Sequence, residues 1–213
     1  MSSIDNVRLH YDKSVLREWD RLSRNPYEFE INKRYIDRYI KPGESVLDIG
    51  GGPGRYSIYL ARRGCKVTLA DLSPKNIEFA RQKAFEENAS LNTLVCDARS
   101  ADKTITGTFD HVLLMGPLYH LLDESDRKAA VNASLSLLKP VGTLFAAFIS
   151  ANAGIIYYLR EDPAAILHPE SDGFFDCFQR DTAYQGPSFT DARFERICDV
   201  CPFMESFSFT TLH

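Results

Sequence analysis

The residues best suited to chemistry in this chain are four glycines within five positions. Gly50, Gly51, Gly52 and Gly54 follow the short apolar run Val46–Ile49, and a helix-like segment begins directly after them. Glycine adopts positive φ readily and lets another molecule approach the main chain. A strand that ends in such a loop and opens a helix presents free N–H groups and the positive end of a helix dipole. The stretch therefore predicts a cradle for a nucleotide or a nucleotide-like cofactor.

The spacing of the glycines narrows the choice of cofactor. The dinucleotide fingerprint is Gly-x-Gly-x-x-Gly, but the third position after Gly52 is Arg55. An acid, Asp48, stands two residues before the first glycine. The pattern thus departs from that of a nicotinamide site.

Three aspartates stand at the ends of successive predicted strands, namely Asp48, Asp71 and Asp97. A lone aspartate after a strand is usually a cap or turn residue, but three in register beside a glycine loop predict one shared crevice. Asp71 follows the glycines by about twenty residues, which is where a carboxylate accepts hydrogen bonds from ribose hydroxyls.

These residues need a sheet to bring them together, and the pattern from residue 45 onward predicts one. Short apolar strands alternate with helices, the strands being Ser45–Ile49, Lys66–Ala70, Asn92–Cys96, His111–Met115 and Thr143–Ile149. Helices are predicted at Tyr56–Arg63, from Ser73-Pro74 to about Asn88, and at about Asp126–Leu138, where Lys139-Pro140 ends the helix. Such alternation is typical of an α/β, doubly wound, mostly parallel sheet with helices on both faces. Ligands of these sheets bind outside the carboxyl ends of the strands.

Residues 1–44 precede this sheet and read as two helices interrupted at Asn25-Pro26. Tyr11 and Trp19 lie on the apolar face of the first helix. One interpretation is that both pack in the core. The other is that residues 1–44 form a helical cap over the cofactor site, with the Tyr11 hydroxyl directed into it.

Composition limits the class of protein. The chain is 44% hydrophobic and 25% charged, with a net charge of −4, which is ordinary for a soluble globular protein. No basic run predicts nucleic-acid binding, and no apolar segment approaches the length of a membrane span. Five cysteines, an odd number, favour a reducing cytoplasm over a disulfide framework. We expect Cys198 and Cys201 to be buried thiols on a helix, and we predict no metal site.

Taken together, these residues resemble a class I S-adenosylmethionine-dependent methyltransferase. The resemblance covers about residues 45–149 and rests on five parts in the expected order, namely Val46–Gly54, Asp71, Asp97, Phe109–Met115 and Leu137–Pro140. The run Met115-Gly116-Pro117-Leu118-Tyr119-His120-Leu121 is similar to one in a subgroup of small-molecule methyltransferases. One departure is Val141, which stands in the turn before strand five where the family usually has glycine.

The resemblance implies a role for each matching residue. The backbone of Gly50, Gly51 and Gly52 would face the methionine part of the cofactor, and Asp48 would orient the loop or contact the methionine amino group. Asp71 would hold both ribose hydroxyls, and Leu72 would pack on the adenine. Asp97 would accept from the adenine amino group, the Ala98 N–H would serve a ring nitrogen, and Met115 would border the sulfonium. S-adenosylmethionine is thus the implied cofactor, with S-adenosylhomocysteine as product.

Transfer of a methyl group from a sulfonium is an in-line displacement that mainly requires alignment and exclusion of water. A general base helps only where the nucleophile must lose a proton. His120 is the first candidate base and Tyr119 the second, since both follow strand four. The alternative is that Pro117–Leu121 is a structural turn in which His120 caps the next helix.

Residues 150–193 form an aromatic-rich insertion between strand five and the last predicted helix. We interpret it as a lid that forms the pocket for a small-molecule acceptor; the alternatives are a satellite core and a dimer face. After it we expect a helix at about Asp191–Ser206 and a strand from about Thr210. The hairpin that closes the family's sheet is therefore expected to be incomplete. We favour truncation as the reason, because a strand that stops at His213 leaves a neighbouring edge unpaired.

The predicted function is methyl transfer from S-adenosylmethionine to a small molecule, by a cytoplasmic monomer or homodimer that binds neither nucleic acid nor membrane. An NAD-dependent oxidoreductase and a non-catalytic cofactor-binding regulatory protein are the alternatives. The residue at position 55 and the acid at Asp97 count against the oxidoreductase.

Overall fold

The computed structural model describes residues 3–24 and 26–212. Its centre is a parallel sheet of five strands in the order β3-β2-β1-β4-β5. The strands are β1 Ser45–Ile49, β2 Lys66–Asp71, β3 Leu91–Val95, β4 Phe109–Leu114 and β5 Leu138–Ala146. This order places β1 and β4 side by side, so the loops that follow them meet at one edge. The predicted doubly wound parallel sheet is confirmed.

Helices cover both faces of this sheet and continue beyond it. They are α1 Ser3–Arg24, α2 Pro26–Tyr39, α3 Arg55–Arg62, α4 Pro74–Glu86, α5 Ala101–Thr104, α6 Glu124–Ser136, α7 Ala151–Glu161, α8 Asp172–Gln179 and α9 Ile197–Glu205. The break predicted at Asn25-Pro26 falls between α1 and α2, and Asn25 itself lies outside the described residues. Within α1, Ser14 is non-helical (φ −120°, ψ 18°), so the helix is kinked there.

The core explains why β4 reads as an almost unbroken apolar run. Val112, Leu113 and Leu114 have no exposed surface. Val112 and Leu114 pack in one cluster with α6, whereas Leu113 packs in a second cluster with α2 and α3. A strand that is covered on both faces has no polar side to present.

A second, smaller sheet lies after β5 and has the order β6-β8-β7. Its strands are β6 Ile149–Ser150, β7 Tyr184–Pro187 and β8 Asp191–Glu195; β8 pairs parallel with β6 and antiparallel with β7. Phe174, Ala192 and Phe194 form a buried cluster of their own against this sheet. The insertion therefore contains a satellite core, whether or not it also acts as a lid.

The end of the chain differs from the prediction of one helix at about Asp191–Ser206. Its first part is the strand β8, in which Ala192 and Phe194 are buried and alternate with the half-buried Asp191 and Arg193. This period of two suits a strand, and α9 begins only at Ile197. The strand expected from Thr210 is also wrong, because residues 210–212 join no sheet; His213 lies outside the described residues. The sheets formed by residues 3–24 and 26–212 include no hairpin that closes the main sheet.

Two further expectations are wrong. Lys139-Pro140 does not separate helix from strand, since β5 begins at Leu138 and carries an irregularity between the pairs Phe109–Leu138 and His111–Thr143. Cys198 and Cys201 do lie on a helix, α9, but both are exposed rather than buried. The helix is short and has one half-buried face, so its thiols point to solvent.

Among the helices of residues 3–24 and 26–212, none combines the length and apolar character that crossing a membrane requires.

Candidate active site

The glycine loop after β1 fits tightly against its neighbours. Gly50 has φ +70°, and a Cβ on it would lie 2.5 Å from Cγ of Pro117. A Cβ on Gly51 would collide with the Asp48 carboxylate and would lie 2.5 Å from Cδ1 of Leu69. Larger residues are therefore excluded for steric reasons, and the loop is held against the turn that follows β4.

Asp48 lies behind this loop and is only 2% exposed. Its Oδ2 accepts a hydrogen bond of 2.7 Å from the Ser57 hydroxyl of α3. Burial raises the pKa of Asp48 to about 7, although the Ser57 hydrogen bond acts in the opposite direction. Asp48 is thus a carboxyl that titrates near neutrality beside the glycine loop.

Asp71, at the end of β2, holds the glycine loop from the other side. Its Oδ2 accepts from the Gly52 N–H at 2.8 Å. Its Oδ1 accepts from the Ser73 N–H at 2.8 Å and from Nδ2 of Asn76 at 3.1 Å. Burial raises the pKa of Asp71, and these three hydrogen bonds oppose the rise. The contact with Gly52 joins two of the predicted cofactor residues directly.

Asp97 follows β3 as predicted, and Arg99 binds it closely. The guanidinium donates to both carboxylate oxygens, at 2.6 Å from Nη2 to Oδ2 and 3.1 Å from Nε to Oδ1. Burial acts to raise the pKa of Asp97, but the hydrogen bonds from Arg99 dominate and lower it. Arg99 also donates to Asp126 of α6 at 2.8 Å. Arg99 therefore holds the Asp97 carboxylate in place. In the proposed contact with adenine, this carboxylate would accept hydrogen bonds from both Arg99 and the adenine amino group.

Leu72 and Ala98 occupy the positions directly after Asp71 and Asp97, and both are half-buried. Ala98 opens a short 3₁₀ turn that Asp97 caps by accepting from the Arg99 N–H at 2.9 Å. Met115, directly after β4, packs against the cluster that α2 and α3 share with the sheet. These three residues are near the predicted edge, and none of the observed hydrogen bonds assigns them a ligand role.

His120 has both ring nitrogens engaged. Nδ1 lies 3.2 Å from the Asp191 carbonyl oxygen, and Nε2 lies 2.8 Å from the Tyr11 hydroxyl. A carbonyl can only accept, so Nδ1 carries the proton and Tyr11 donates to Nε2. His120 is 6% exposed, and burial lowers its pKa to about 4. His120 does not cap the next helix, since the N-cap of α6 is Asp123. It is a neutral imidazole that joins α1 to the start of β8.

Tyr119 has its ring 4.6 Å from that of His120, but different charged groups act on its hydroxyl. Burial raises the pKa of this hydroxyl, and the charges that act on it are those of Arg21 and Glu18 of α1 and Glu28 of α2. Arg21 binds Glu18 at 2.8 Å and also forms an ion pair with Glu28. Of the two predicted catalytic residues, His120 is hydrogen-bonded to Tyr11 of α1, whereas the charges that act on Tyr119 belong to other residues of α1 and to α2.

The structure brings the predicted residues together in two groups. Asp48, the glycines and Asp71 form one, and Tyr11 with His120 forms the other; the contact between Gly50 and Pro117 joins them. Sequence reasoning missed the residues that hold these groups, which are Ser57, Asn76, Arg99 and Asp191. Two of them had a local signal, since Asn76 lies three residues after the cap Ser73 and Arg99 two residues after Asp97.

Comparison with known proteins agrees with this arrangement. Residues 46–142 match the family model described as a methyltransferase domain, and this span includes the glycine loop and all three aspartates. Residues 46–142 are thus similar to a methyltransferase domain, which agrees with the resemblance of these residues to class I S-adenosylmethionine-dependent methyltransferases. The finer likeness of residues 115–121 to one subgroup stays a prediction.

Curated relatives of this chain include two bacterial proteins named ubiquinone biosynthesis O-methyltransferase. The one from Xanthomonas campestris is 36% identical over 139 residues, which cover 62% of this chain and 57% of the relative. The one from Xanthomonas axonopodis is 34% identical over 153 residues, covering 68% and 61%. The chain thus spans somewhat more than half of the length of the relatives that it matches.

Two solved structures share the fold of this chain. A SAM-dependent methyltransferase from Methanosarcina mazei aligns with a TM-score of 0.60 at 19% identity, covering 81% of this chain and 82% of that one. A TehB-like SAM-dependent methyltransferase from Corynebacterium glutamicum aligns with a TM-score of 0.55 at 20% identity, covering 87% and 97%. Sequence identities this low show only that the fold is shared.

Proposed function

We propose that this protein transfers the methyl group of S-adenosylmethionine to a small-molecule acceptor. The observation that carries the proposal is the hydrogen bond from the Gly52 N–H to Asp71, within a domain that matches the methyltransferase model. It holds a glycine loop with open backbone against a carboxylate at the carboxyl edge of a parallel sheet. A nucleoside with a charged tail needs those two features side by side.

The residues present fit this cofactor. Asp71 would bind the ribose and the glycine loop would border the methionine part, where a larger side chain on Gly50 or Gly51 has no room. Asp48 would face the amino group, because an ionisable carboxyl with a pKa of about 7 gains most from a nearby cation. Leu72, Asp97, Ala98 and Met115 keep the roles that the family resemblance implies.

The chemistry that the cofactor supplies is an activated methyl group on a cationic sulfur. The protein must align the acceptor with that methyl group and keep water out. Asp48, Asp71 and His120 are each less than 10% exposed, which is consistent with a site shielded by α1. Tyr11 of α1 contributes to this cover through its bond to His120.

Proton removal from the acceptor would involve Tyr11 and His120 together. Both nitrogens of His120 are engaged, so an acceptor meets its Nε2 only by displacing Tyr11 or by acting through the Tyr11 hydroxyl. In the second case the acceptor proton passes to the oxygen of Tyr11 while the Tyr11 proton passes to Nε2. This replaces the simpler expectation that His120 contacts the acceptor alone. Tyr119 remains the second candidate.

We further propose that residues 150–193 help to enclose the acceptor. Phe189, in the loop between β7 and β8, has its ring 5.6 Å from that of His120. Directly after this loop, Asp191 at the start of β8 supplies its carbonyl oxygen to Nδ1 of His120. The satellite core would then hold this loop in place. Because the relatives are named O-methyltransferases, oxygen acceptors are the first class to test.

The remaining features of the proposal concern the whole protein. We propose a cytoplasmic monomer or homodimer that binds neither nucleic acid nor membranes. The net charge of −4 supports the absence of nucleic-acid binding.

The experiment that tests the function is an assay for S-adenosylhomocysteine release across a panel of small phenols, alcohols, acids, amines and thiols. We expect turnover with at least one acceptor and its loss in Asp71→Ala. The Cys198→Ser variant, changed at an exposed thiol far along the chain, should retain full turnover. Binding of S-adenosylmethionine without turnover on any member of a broad panel would instead favour a non-catalytic cofactor-binding protein.

A further inference from the structure

Asn76 carries a buried oxygen that the fold leaves without a partner. The residue lies in the first turn of α4 and is 1% exposed. Its Oδ1 has no hydrogen-bond partner among the residues that the structure describes. A buried carbonyl oxygen without a donor costs free energy, so natural proteins seldom keep one without a reason.

The orientation of this amide follows from its neighbour. Nδ2 of Asn76 donates to Oδ1 of Asp71 at 3.1 Å. A flipped amide would set its oxygen against the carboxylate oxygen, which is repulsive. The atom without a hydrogen-bond partner is therefore the amide oxygen, which can accept a hydrogen bond from a ligand.

The amide borders the glycine loop as well as the aspartate. In the space where a Cβ on Gly52 would stand, the nearest atom within 4 Å is Nδ2 of Asn76, at 3.9 Å. Gly52 in turn donates its N–H to Asp71. Asn76, Asp71 and Gly52 thus form one small group at the edge of the sheet.

The lone pairs of Asp71 show why a second acceptor is needed there. A carboxylate has roughly four lone-pair directions, two on each oxygen. Oδ1 already accepts from Ser73 and Asn76, and Oδ2 already accepts from Gly52. Roughly one direction remains, on Oδ2, whereas a ribose brings two hydroxyl donors.

We propose that Asn76 is a second ribose-binding residue, whose Oδ1 accepts one hydroxyl while Oδ2 of Asp71 accepts the other. This inference rests on the proposed function and refines it, since Asp71 would otherwise hold both hydroxyls. The substrate class that it selects is a ribonucleoside with both the 2′- and 3′-hydroxyl groups. Asn76 also positions Asp71 through Nδ2.

The test is calorimetric titration of the full chain with S-adenosylhomocysteine and with its 2′-deoxy and 3′-deoxy analogues. We expect the wild-type protein to bind each analogue about fivefold to tenfold more weakly, which is the value of one hydrogen bond. Asn76→Leu, of similar size, should bind S-adenosylhomocysteine more weakly by a similar factor. The variant should no longer discriminate against one of the two analogues, and it should still discriminate against the other.

The controls separate a failed inference from a failed function. Asn132→Leu, at an exposed position of α6, should bind all three ligands as the wild type does. If Asn76→Leu unfolds, as judged by circular dichroism, the same titrations are made with Asn76→Ala. The proposed contact by Oδ1 is contradicted if the variant still binds both deoxy analogues more weakly than S-adenosylhomocysteine. It is also contradicted if the variant loses both differences equally. Failure of the folded wild-type protein to bind S-adenosylhomocysteine at all would instead contradict the proposed function.

Discussion

His120 lies between a group that can only accept a hydrogen bond and a hydroxyl that can donate one. The Asp191 carbonyl fixes the proton on Nδ1, which leaves the lone pair of Nε2 for Tyr11. We predict that ¹⁵N NMR of the histidine side chains finds His120 neutral at pH 6 as the Nδ1–H tautomer. It should become charged only near pH 4, since burial lowers its pKa to about 4.

This measurement is more direct than a stability curve, because two buried groups act in opposite directions. Between about pH 4 and 6.5, His120 is protonated in the unfolded chain but neutral in the folded protein. The free energy of unfolding therefore falls as pH drops from about 6.5 toward 4. Asp48 holds its proton in the folded state up to about pH 7, so its contribution falls as pH rises from about 4 to 7. An Nε2–H tautomer, or titration of His120 near pH 6.5, would contradict the assigned hydrogen bonds.

Asp48 leads to a second prediction about protons. Burial raises the pKa of Asp48 to about 7, so its carboxyl is partly protonated at neutral pH. A cationic amino group beside it lowers that pKa, so binding of S-adenosylhomocysteine should release up to about half a proton. Titration calorimetry in buffers of different ionisation enthalpy measures this release. Asp48→Asn should abolish it, and an enthalpy independent of buffer would place the amino group elsewhere.

The glycine loop is the element on which the site depends most closely. Gly51→Ala adds a methyl group where Asp48 and Leu69 leave no space. We expect Gly51→Ala to unfold at a clearly lower temperature and to lose cofactor binding, since the loop must move away from Asp48. Gly173→Ala in α8 is the matched control: its added Cβ would have one neighbour, at 3.9 Å, and the melting temperature should not fall. Equal melting temperatures for the two variants would show that the loop has room.

A substitution at the irregularity in β5 is predicted to raise the stability of the protein, whereas Gly51→Ala is predicted to lower it. Val141 has φ +58° and is fully exposed, so a β-branched residue occupies a left-handed conformation that favours glycine. Val141→Gly should stabilise the protein by about 1 kcal/mol, as relief of strain exceeds the entropic cost of glycine. Val95→Gly, at an exposed strand position without positive φ, should destabilise it by about as much. Denaturant unfolding measures both, and a loss of stability in Val141→Gly would contradict the strain.

The same elements show what the sequence could predict. The five strands of the main sheet follow from local signals, such as the apolar run of β4 and the Ser73-Pro74 start of α4. Strand β8 does not, because Asp191–Glu195 becomes a strand only by pairing with Tyr184–Pro187 and Ile149–Ser150. Likewise Tyr11 and His120 are 109 residues apart, and no spacing rule predicts that their side chains meet. Arg99 illustrates a further limit, since a charged residue beside Asp97 reads equally well as solvated surface.

At the scale of the whole molecule, the methyltransferase domain and the satellite core meet at the proposed reaction centre. The main sheet supplies the glycine loop and Asp71, and α1 supplies Tyr11. The β7–β8 loop supplies Phe189, and the start of β8 supplies the Asp191 carbonyl. The proposed cofactor-binding residues could be predicted because they lie close to one another along the chain. The proposed acceptor site depends on contacts between distant segments. The sequence therefore predicted the methyl donor but not the methyl acceptor.

The most direct test of the central claim is the thermal unfolding of the folded protein with its site empty. S-adenosylmethionine and S-adenosylhomocysteine should each raise the melting temperature, because a ligand that binds only the folded state stabilises it. NAD should leave it unchanged. The shift should be lost in Asp71→Ala and largely kept in His120→Ala, since only Asp71 borders the glycine loop. No shift with either sulfur nucleoside, or an equal shift with NAD, would contradict the assignment of this site to S-adenosylmethionine.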